Sequence, residues 1–144
     1  MSAAMRVELA AVEIVRAAET ARGWRPGSIL GQRAQRLEGC DFLSEPPDGG
    51  PAHRIEVKGW GEPLVTAGGS FSYPADVTRE QYERAKAEPT TWRLEIVADL
   101  TAFLEGRGVP QRLTLDGSEV VERAYCWRYR VPLDGLTAGI VEGT

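Results

Sequence analysis

The sequence has few of the residues that form disulfide bonds or bind metal ions in small proteins. It contains two cysteines, Cys40 and Cys126, and one histidine. The two cysteines lie far apart and form no C-x-x-C pair, which excludes a disulfide framework and gives no zinc-binding spacing. Long apolar runs are missing too, since none approaches the roughly 20 residues that a membrane-spanning helix needs. We therefore expect a protein that makes no use of a membrane.

A surplus of basic residues is also missing. The 17 Lys and Arg residues are outnumbered by 21 Asp and Glu residues, which gives a net charge of −4. This balance argues against a protein that passively coats nucleic acid. It is compatible with an enzyme whose acidic side chains hold a divalent cation. Arginines are concentrated over residues 22–36 and 123–130, so local basic patches can exist on the acidic chain.

The length of the chain and its N-terminal sequence indicate how many domains to expect and where the protein is located. Its 144 residues contain no internal repeat, low-complexity segment or linker, which is typical of one domain. We expect this domain to cover residues 1–134 and the Gly-rich residues 135–144 to be a flexible tail. Glu8 and Glu13 interrupt the first apolar stretch, unlike the hydrophobic region of a signal peptide, so a cytoplasmic location is expected.

Hydrophobic periodicity predicts an α+β domain. An apolar stripe predicts a helix over 6–22, and Thr78 begins a second helix. The turn sequence EPPDGG separates two strand-like runs, CDFLS and HRIEVKG, and predicts a β-hairpin. Ile29 and Leu30 are predicted as strand or loop, before irregular or short helical structure. Further strands are predicted at TWRLEIVADL, and at QRLTLD and VVERAYCWRYRVPL as a closing pair around a DGS turn.

The strand HRIEVKG carries charges on the face opposite its apolar residues. Alternation places Glu56 and Lys58 on one face and Ile55 and Val57 on the other. Two interpretations are open, a surface ion pair of small energetic value and an active site. Alternation alone favours the surface pair.

Asp41 adds a second carboxylate. If the hairpin strands pair, Asp41 and Glu56 can meet across them and hold Mg²⁺, which prefers oxygen ligands. Lys58 would then orient a water molecule or stabilise the charge on a phosphodiester. The alternative for Asp41 is an aspartate that caps a loop.

The motifs resemble a known family. Asp41 followed by IEVKG resembles the PD-(D/E)xK restriction-endonuclease-like nucleases. More closely, the chain resembles the C-terminal domain of the plant NO VEIN protein, which is also appended to bacterial helicase and restriction-associated proteins. The similarity runs through five segments in order over about residues 6–100: VELAAVEIVRAAETARGWRP, EGCDFLS, HRIEVKGW, VTREQYERA and WRLEIVADL.

The resemblance implies a restriction-endonuclease-like core, with a central mixed β-sheet flanked by helices. It implies a Mg²⁺- or Mn²⁺-dependent endonuclease that acts on DNA, with a helicase or restriction-system protein as a possible partner. Carried over, Asp41 and Glu56 are metal ligands, Lys58 is the catalytic lysine, and Glu8 is an assisting carboxylate. Cys40 replaces the tyrosine usual before the aspartate.

Three further residues are accessory candidates. Glu19 lies about 20° from Glu8 on the wheel of the first helix, so both could approach the site, although a solvated helix flank explains them equally. Gln81 stands where the family commonly has Glu, but Thr78 and Gln81 also form a capping-box pattern. Trp60 could stack on a base or belong to the core.

Two alternatives to a working nuclease stay open. One is a catalytically silent nucleic-acid-binding or protein-interaction module of the same fold. The other is a structural partner domain, because the β-prone run YCWRYRV could pair with a second copy in a homodimer.

Overall fold

The computed structural model describes residues 1–65, 74–124, 130–136 and 139–140. The helices are α1 (Ala3–Ala21), α2 (Gln32–Glu38), α3 (Arg79–Ala87), α4 (Leu100–Leu104) and α5 (Gly117–Arg123). The strands are β1 (Arg25–Pro26), β2 (Phe42–Glu45), β3 (His53–Gly59), β4 (Ala75–Asp76), β5 (Trp92–Ala98), β6 (Gln111–Asp116), β7 (Arg130–Val131) and β8 (Gly139–Ile140).

A central mixed sheet with helices against it confirms the α+β class. The strands of this sheet lie in the order β1-β2-β3-β5-β6-β8. Strands β3 and β5 are parallel, and the other neighbours are antiparallel. A parallel pair needs a long crossover, and here the crossover contains α3. A second, two-stranded sheet pairs β4 with β7.

Strand β5 lies in the middle of the sheet and separates two parts of the core. All seven of its residues are buried. Because side chains alternate along a strand, Val97 packs on one face with Ile55 and Val57. Leu94 and Ile96 pack on the other face, in the larger apolar cluster.

Helix α1 covers the first of these faces. Its predicted apolar stripe is confirmed, since Ala11 and Val15 are fully buried against the cluster that contains Ile55. The helix begins three residues earlier than predicted. The reason is a cap at Ser2, whose side chain accepts a hydrogen bond of 3.1 Å from the backbone N–H of Met5.

The predicted hairpin is confirmed. Strands β2 and β3 pair antiparallel, with Phe42 opposite Ile55 and Ser44 opposite His53. The second helix also begins as predicted, with Thr78 as its N-cap. Ile29 and Leu30 lie in the loop between β1 and α2, and the short helix expected after them is α2.

The predicted closing pair of strands is wrong in its second half. Residues 111–116 form β6, but the DGS sequence starts α5 instead of a turn. Asp116 accepts a hydrogen bond of 2.9 Å from the N–H of Glu119, whose side chain accepts from the Asp116 N–H in return. This reciprocal capping box stabilises a helix start. Downstream, β7 pairs with β4 and makes no pair with β6.

Most of the YCWRYRV run, including Cys126, lies outside the described residues. Within the segment that we expect to be a flexible tail, Gly139–Ile140 pairs with Gln111–Arg112, so the sheet extends beyond residue 134. In the part of the chain that the structure describes, no helix has the length and apolar character to cross a membrane.

Candidate active site

The hairpin places Asp41 next to Glu56. Asp41 is the residue before β2, and its N–H donates to the carbonyl of Ile55 at 2.8 Å. Strand β2 pairs no further, so the N–H of Val57 would lack a strand partner. The carboxylate of Asp41 fills this role and accepts that hydrogen bond at 2.8 Å. The side chain of Asp41 is thereby held at the edge of β3.

Glu56 and Lys58 lie on the same face of β3, as alternation predicts. The ammonium Nζ of Lys58 is 3.4 Å from Oε2 of Glu56. The Glu56 side chain is only 8% exposed, whereas that of Lys58 is 25% exposed. Glu56 also lies close enough to Asp41 for the negative charge of Asp41 to raise the pKa of Glu56. The structure therefore brings all three predicted core residues together.

Burial and the neighbouring Asp41 carboxylate disfavour the ionisation of Glu56. Burial raises the pKa of Glu56 to about 8, the negative charge of Asp41 adds to the rise, and Lys58 opposes it. Burial also raises the pKa of Asp41, against the Val57 hydrogen bond and Lys58, both of which lower it. Two close acids with one amine thus retain a proton between them at neutral pH.

Glu8 approaches this pair because α1 lies unusually close to β3. A Cβ atom placed on Gly59 would be 2.8 Å from the Cβ of Ala11 and 3.0 Å from the carbonyl oxygen of Val7. The same position is 3.3 Å from the Cα of Glu8. Only a glycine leaves room for this approach. The exposed carboxylate of Glu8 then contributes to the raised pKa of Asp41.

Glu19 belongs to a different group of charges. It is fully buried and accepts hydrogen bonds from Arg22, at 2.6 Å, and from Arg93. Burial alone would raise the pKa of Glu19, but these two guanidinium groups outweigh it and hold the pKa below its usual value. Glu8 and Glu19 share a helix flank, yet eleven residues separate them by about 16 Å along the axis.

The buried charges around Glu19 continue across the sheet. Arg93 also pairs with Glu95 at 3.1 Å. Glu95 accepts further hydrogen bonds from Arg112 at 3.0 Å and from the hydroxyl of Thr114 at 2.6 Å. No pattern in the sequence predicts this network, because Arg93 and Glu95 lie inside a strand predicted from its apolar residues.

Gln81 has a structural contact that accounts for it. Its side chain accepts a hydrogen bond of 2.9 Å from the N–H of Thr78, whose hydroxyl accepts from the Gln81 N–H at 3.1 Å. The capping box predicted for this pair is confirmed.

Lys58 and Trp60 open into a surface cleft of about 540 Å³. Among the described residues, Pro74, Asp76 and Arg130 also line it. Trp60 also packs against the larger apolar cluster, so it lies at the rim of the core. Sequence reasoning missed Asp76 and Arg130, which reach the cleft only through the pairing of β4 with β7.

Asp41 and Glu56 are a pair of candidate metal ligands, without a larger ligand group in the described residues. No group of three or more His, Cys, Asp or Glu side chains suitable for a metal ion occurs in residues 1–65, 74–124, 130–136 and 139–140. The nearby thiol of Cys40 is fully buried, and burial raises its pKa to about 11. Cys40 therefore stays protonated and offers no thiolate ligand.

Comparison with known proteins returns no match. No family model matches the chain. No curated protein and no solved structure matches it either. A functional interpretation therefore depends on the geometry of this site and on the resemblance of its motifs.

Proposed function

We propose that this chain is a Mg²⁺-dependent DNA endonuclease with a restriction-endonuclease-like core, in which Asp41 and Glu56 hold the ion and Lys58 acts on the phosphate. One observation carries the proposal. The carboxylate of Asp41 accepts a hydrogen bond of 2.8 Å from the N–H of Val57, the residue after Glu56, and the Lys58 ammonium lies 3.4 Å from the Glu56 carboxylate at the mouth of a cleft. The mixed sheet with flanking helices is compatible with such a core.

The donor set fits a hard divalent cation. Both groups are carboxylates, the ligand type that Mg²⁺ and Mn²⁺ prefer. The charge of Asp41 disfavours the ionised form of buried Glu56, and either a retained proton or a bound cation would offset this, because the single amine of Lys58 does not neutralise both carboxylates. When bound, the ion would polarise a phosphodiester and increase the acidity of water at the site.

The protein's own groups have separable tasks in this proposal. The N–H of Val57 fixes the direction of the Asp41 carboxylate, so one ligand is oriented in advance. Lys58 is partly exposed to the cleft, where its ammonium can hold the attacking water or neutralise charge on the phosphate oxygens. Glu8 supplies negative charge from the other side of Asp41 and can orient water there.

Hydrolysis of the phosphodiester needs no reactant other than water. A water molecule loses a proton and its oxygen bonds to phosphorus. The bond from phosphorus to the leaving oxygen breaks, and that oxygen takes up a proton. The transition state gains negative charge on the phosphate oxygens, which face the Lys58 ammonium in this arrangement.

A cleavage assay tests the proposal directly. Plasmid and oligonucleotide DNA would be incubated with the protein and Mg²⁺ or Mn²⁺, with chelator as a blank. We expect metal-dependent cleavage that is lost in Asp41→Ala and Lys58→Ala. Lys86→Ala is the matched control, because Lys86 is exposed on α3. Cleavage that survives both site variants would contradict the proposed roles.

A second candidate is the catalytically silent nucleic-acid-binding or protein-interaction module of the same fold. The specific observation in its favour is that the described residues contain no group of three or more side chains that could hold a metal ion. Calorimetry separates the candidates. The silent module predicts no heat of Mg²⁺ or Mn²⁺ binding and no cleavage of any DNA, with both site variants folded.

A further inference from the structure

The cleft beside Lys58 has walls of different chemistry. One wall is the end of β3, which contributes Lys58 and, just after it, Trp60. The paired strands β4 and β7 contribute Asp76 and Arg130 to the lining. Pro74, just before β4, adds an apolar surface. An indole, an imino-acid ring and two cationic side chains thus surround one concave space.

The guanidinium of Arg130 can bind a ligand with only a small loss of stability, because its present ion pair is exposed. Its Nε is 3.1 Å from Oδ1 of Asp76, and the two side chains are 37% and 66% exposed. An ion pair this exposed contributes little to stability. A phosphate can replace the Asp76 carboxylate because both accept charge-assisted hydrogen bonds from a guanidinium. Asp76 then acts as a competitor for the phosphate.

The indole of Trp60 indicates what accompanies the phosphate. An indole stacks on a nucleobase only when the base is free of its own stack and pair, as in a single strand. A cleft of about 540 Å³ can accept such a splayed nucleotide. A stacked and paired base of a duplex presents no face to Trp60.

We propose that the cleft formed by Lys58, Trp60, Pro74, Asp76 and Arg130 binds a single-stranded segment of nucleic acid, with a base on Trp60 and a phosphate on Arg130. The inference deepens the proposed function and rests on it for the chemistry at Lys58. Single strands, frayed ends or flaps then bind in preference to intact duplex.

Fluorescence anisotropy in chelator measures this binding without cleavage. The probes are a labelled oligothymidine, the same strand in a duplex, the same strand with abasic sites, and the corresponding RNA. We expect the single strand to bind about tenfold more tightly than the duplex, and the abasic strand to lose most of this gain, since stacking contributes strongly per base. Equal or tighter binding of the duplex would overturn the inference. Tighter binding of RNA would keep it and contradict DNA as the substrate.

Two substitutions with opposite expected signs test the contacts. Arg130→Ala should weaken single-strand binding about tenfold, whereas Asp76→Asn should tighten it about threefold because the competitor is removed. A merely structural ion pair predicts loss in both variants. The controls are Arg107→Ala and Glu105→Gln, which break another exposed pair outside the residues that line the cleft and should leave binding unchanged. Equal losses in Arg130→Ala and Arg107→Ala would refute a specific phosphate contact.

The outcomes also distinguish this inference from the proposed function. Single-strand binding that responds to substitution of Arg130 and Asp76, without metal-dependent cleavage, would support binding in the cleft and contradict nuclease activity. Metal-dependent cleavage with no response to either substitution would support nuclease activity and contradict binding in the cleft.

Discussion

Two groups of buried or half-buried acids lie at this sheet, and their surroundings differ. Glu19 and Glu95 are fully buried, but they face the guanidinium groups of Arg22, Arg93 and Arg112. Asp41 and Glu56 face each other and a single lysine. In the first group, the arginine side chains neutralise the carboxylates, as expected of charges with a structural role. The second group leaves Glu56 buried beside Asp41 with a raised pKa, an arrangement that is typical of functional sites.

The largest expected effect comes from a substitution among the buried charges around Glu19 and Glu95. Arg93→Met would leave Glu19 and Glu95 buried with less compensation. We expect a loss of about 3–5 kcal/mol in the free energy of unfolding, the usual result of removing one partner of a buried pair. Denaturant unfolding measures it. Arg107→Met, in an exposed pair, is the control and should cost little. A similar loss in both variants would contradict the structural assignment.

The next prediction concerns pH and separates the two groups by sign. Glu56 has a folded pKa of about 8 against an ordinary value of 4.5, so its contribution to stability is complete below 4.5. The contribution is lost as pH rises to about 8, because the unfolded chain ionises first. In chelator, wild-type stability should therefore fall relative to Glu56→Gln by up to about 1.4 kcal/mol per pH unit across this window.

Glu19 should show the opposite trend. Its folded pKa is lowered, so its stabilising contribution is present above 4.5 and is lost as pH falls through the folded pKa. Denaturant unfolding across acidic pH should show wild type losing stability relative to Glu19→Gln. Parallel pH profiles for Glu19→Gln and Glu56→Gln would mean that the two groups do not differ as described.

A smaller effect tests the contact that brings Glu8 to the site. Gly59→Ala forces a methyl group against Ala11 and the Val7 carbonyl, and we expect a loss of about 1–3 kcal/mol from overpacking. Mn²⁺ affinity should fall with it, because α1 and Glu8 are displaced. Adding Ala11→Gly should restore part of both losses. Gly31→Ala is the control, since nothing lies within 4 Å of its added Cβ. Unchanged Mn²⁺ affinity in Gly59→Ala would remove Glu8 from the account.

The hairpin and its three site residues were predictable from sequence because they depend on local rules. Strand alternation places Glu56 beside Lys58, and the EPPDGG turn brings Asp41 back to Glu56. The start of α3 follows in the same way from Thr78 and Gln81. Each of these features is specified by residues that are close in the chain.

The remaining features depend on contacts between distant segments. DGSE fits both a turn and a capping box, and only the packing of α5 decides between them. Burial of Arg93 depends on Glu19, which lies 74 residues away in the chain. Arg130 enters the cleft because β7 pairs with β4 instead of with β6. Local patterns contain no information about such pairings.

The most direct test of the contrast between the two acid groups is calorimetric titration with Mg²⁺ and Mn²⁺. We predict that the wild-type protein binds one ion, that Asp41→Asn and Glu56→Gln abolish binding, and that Glu13→Gln, on the far flank of α1, leaves it unchanged. Circular dichroism would establish that each variant is folded. Absence of ion binding by the folded wild-type protein, or binding that persists in Asp41→Asn and Glu56→Gln, would contradict the account.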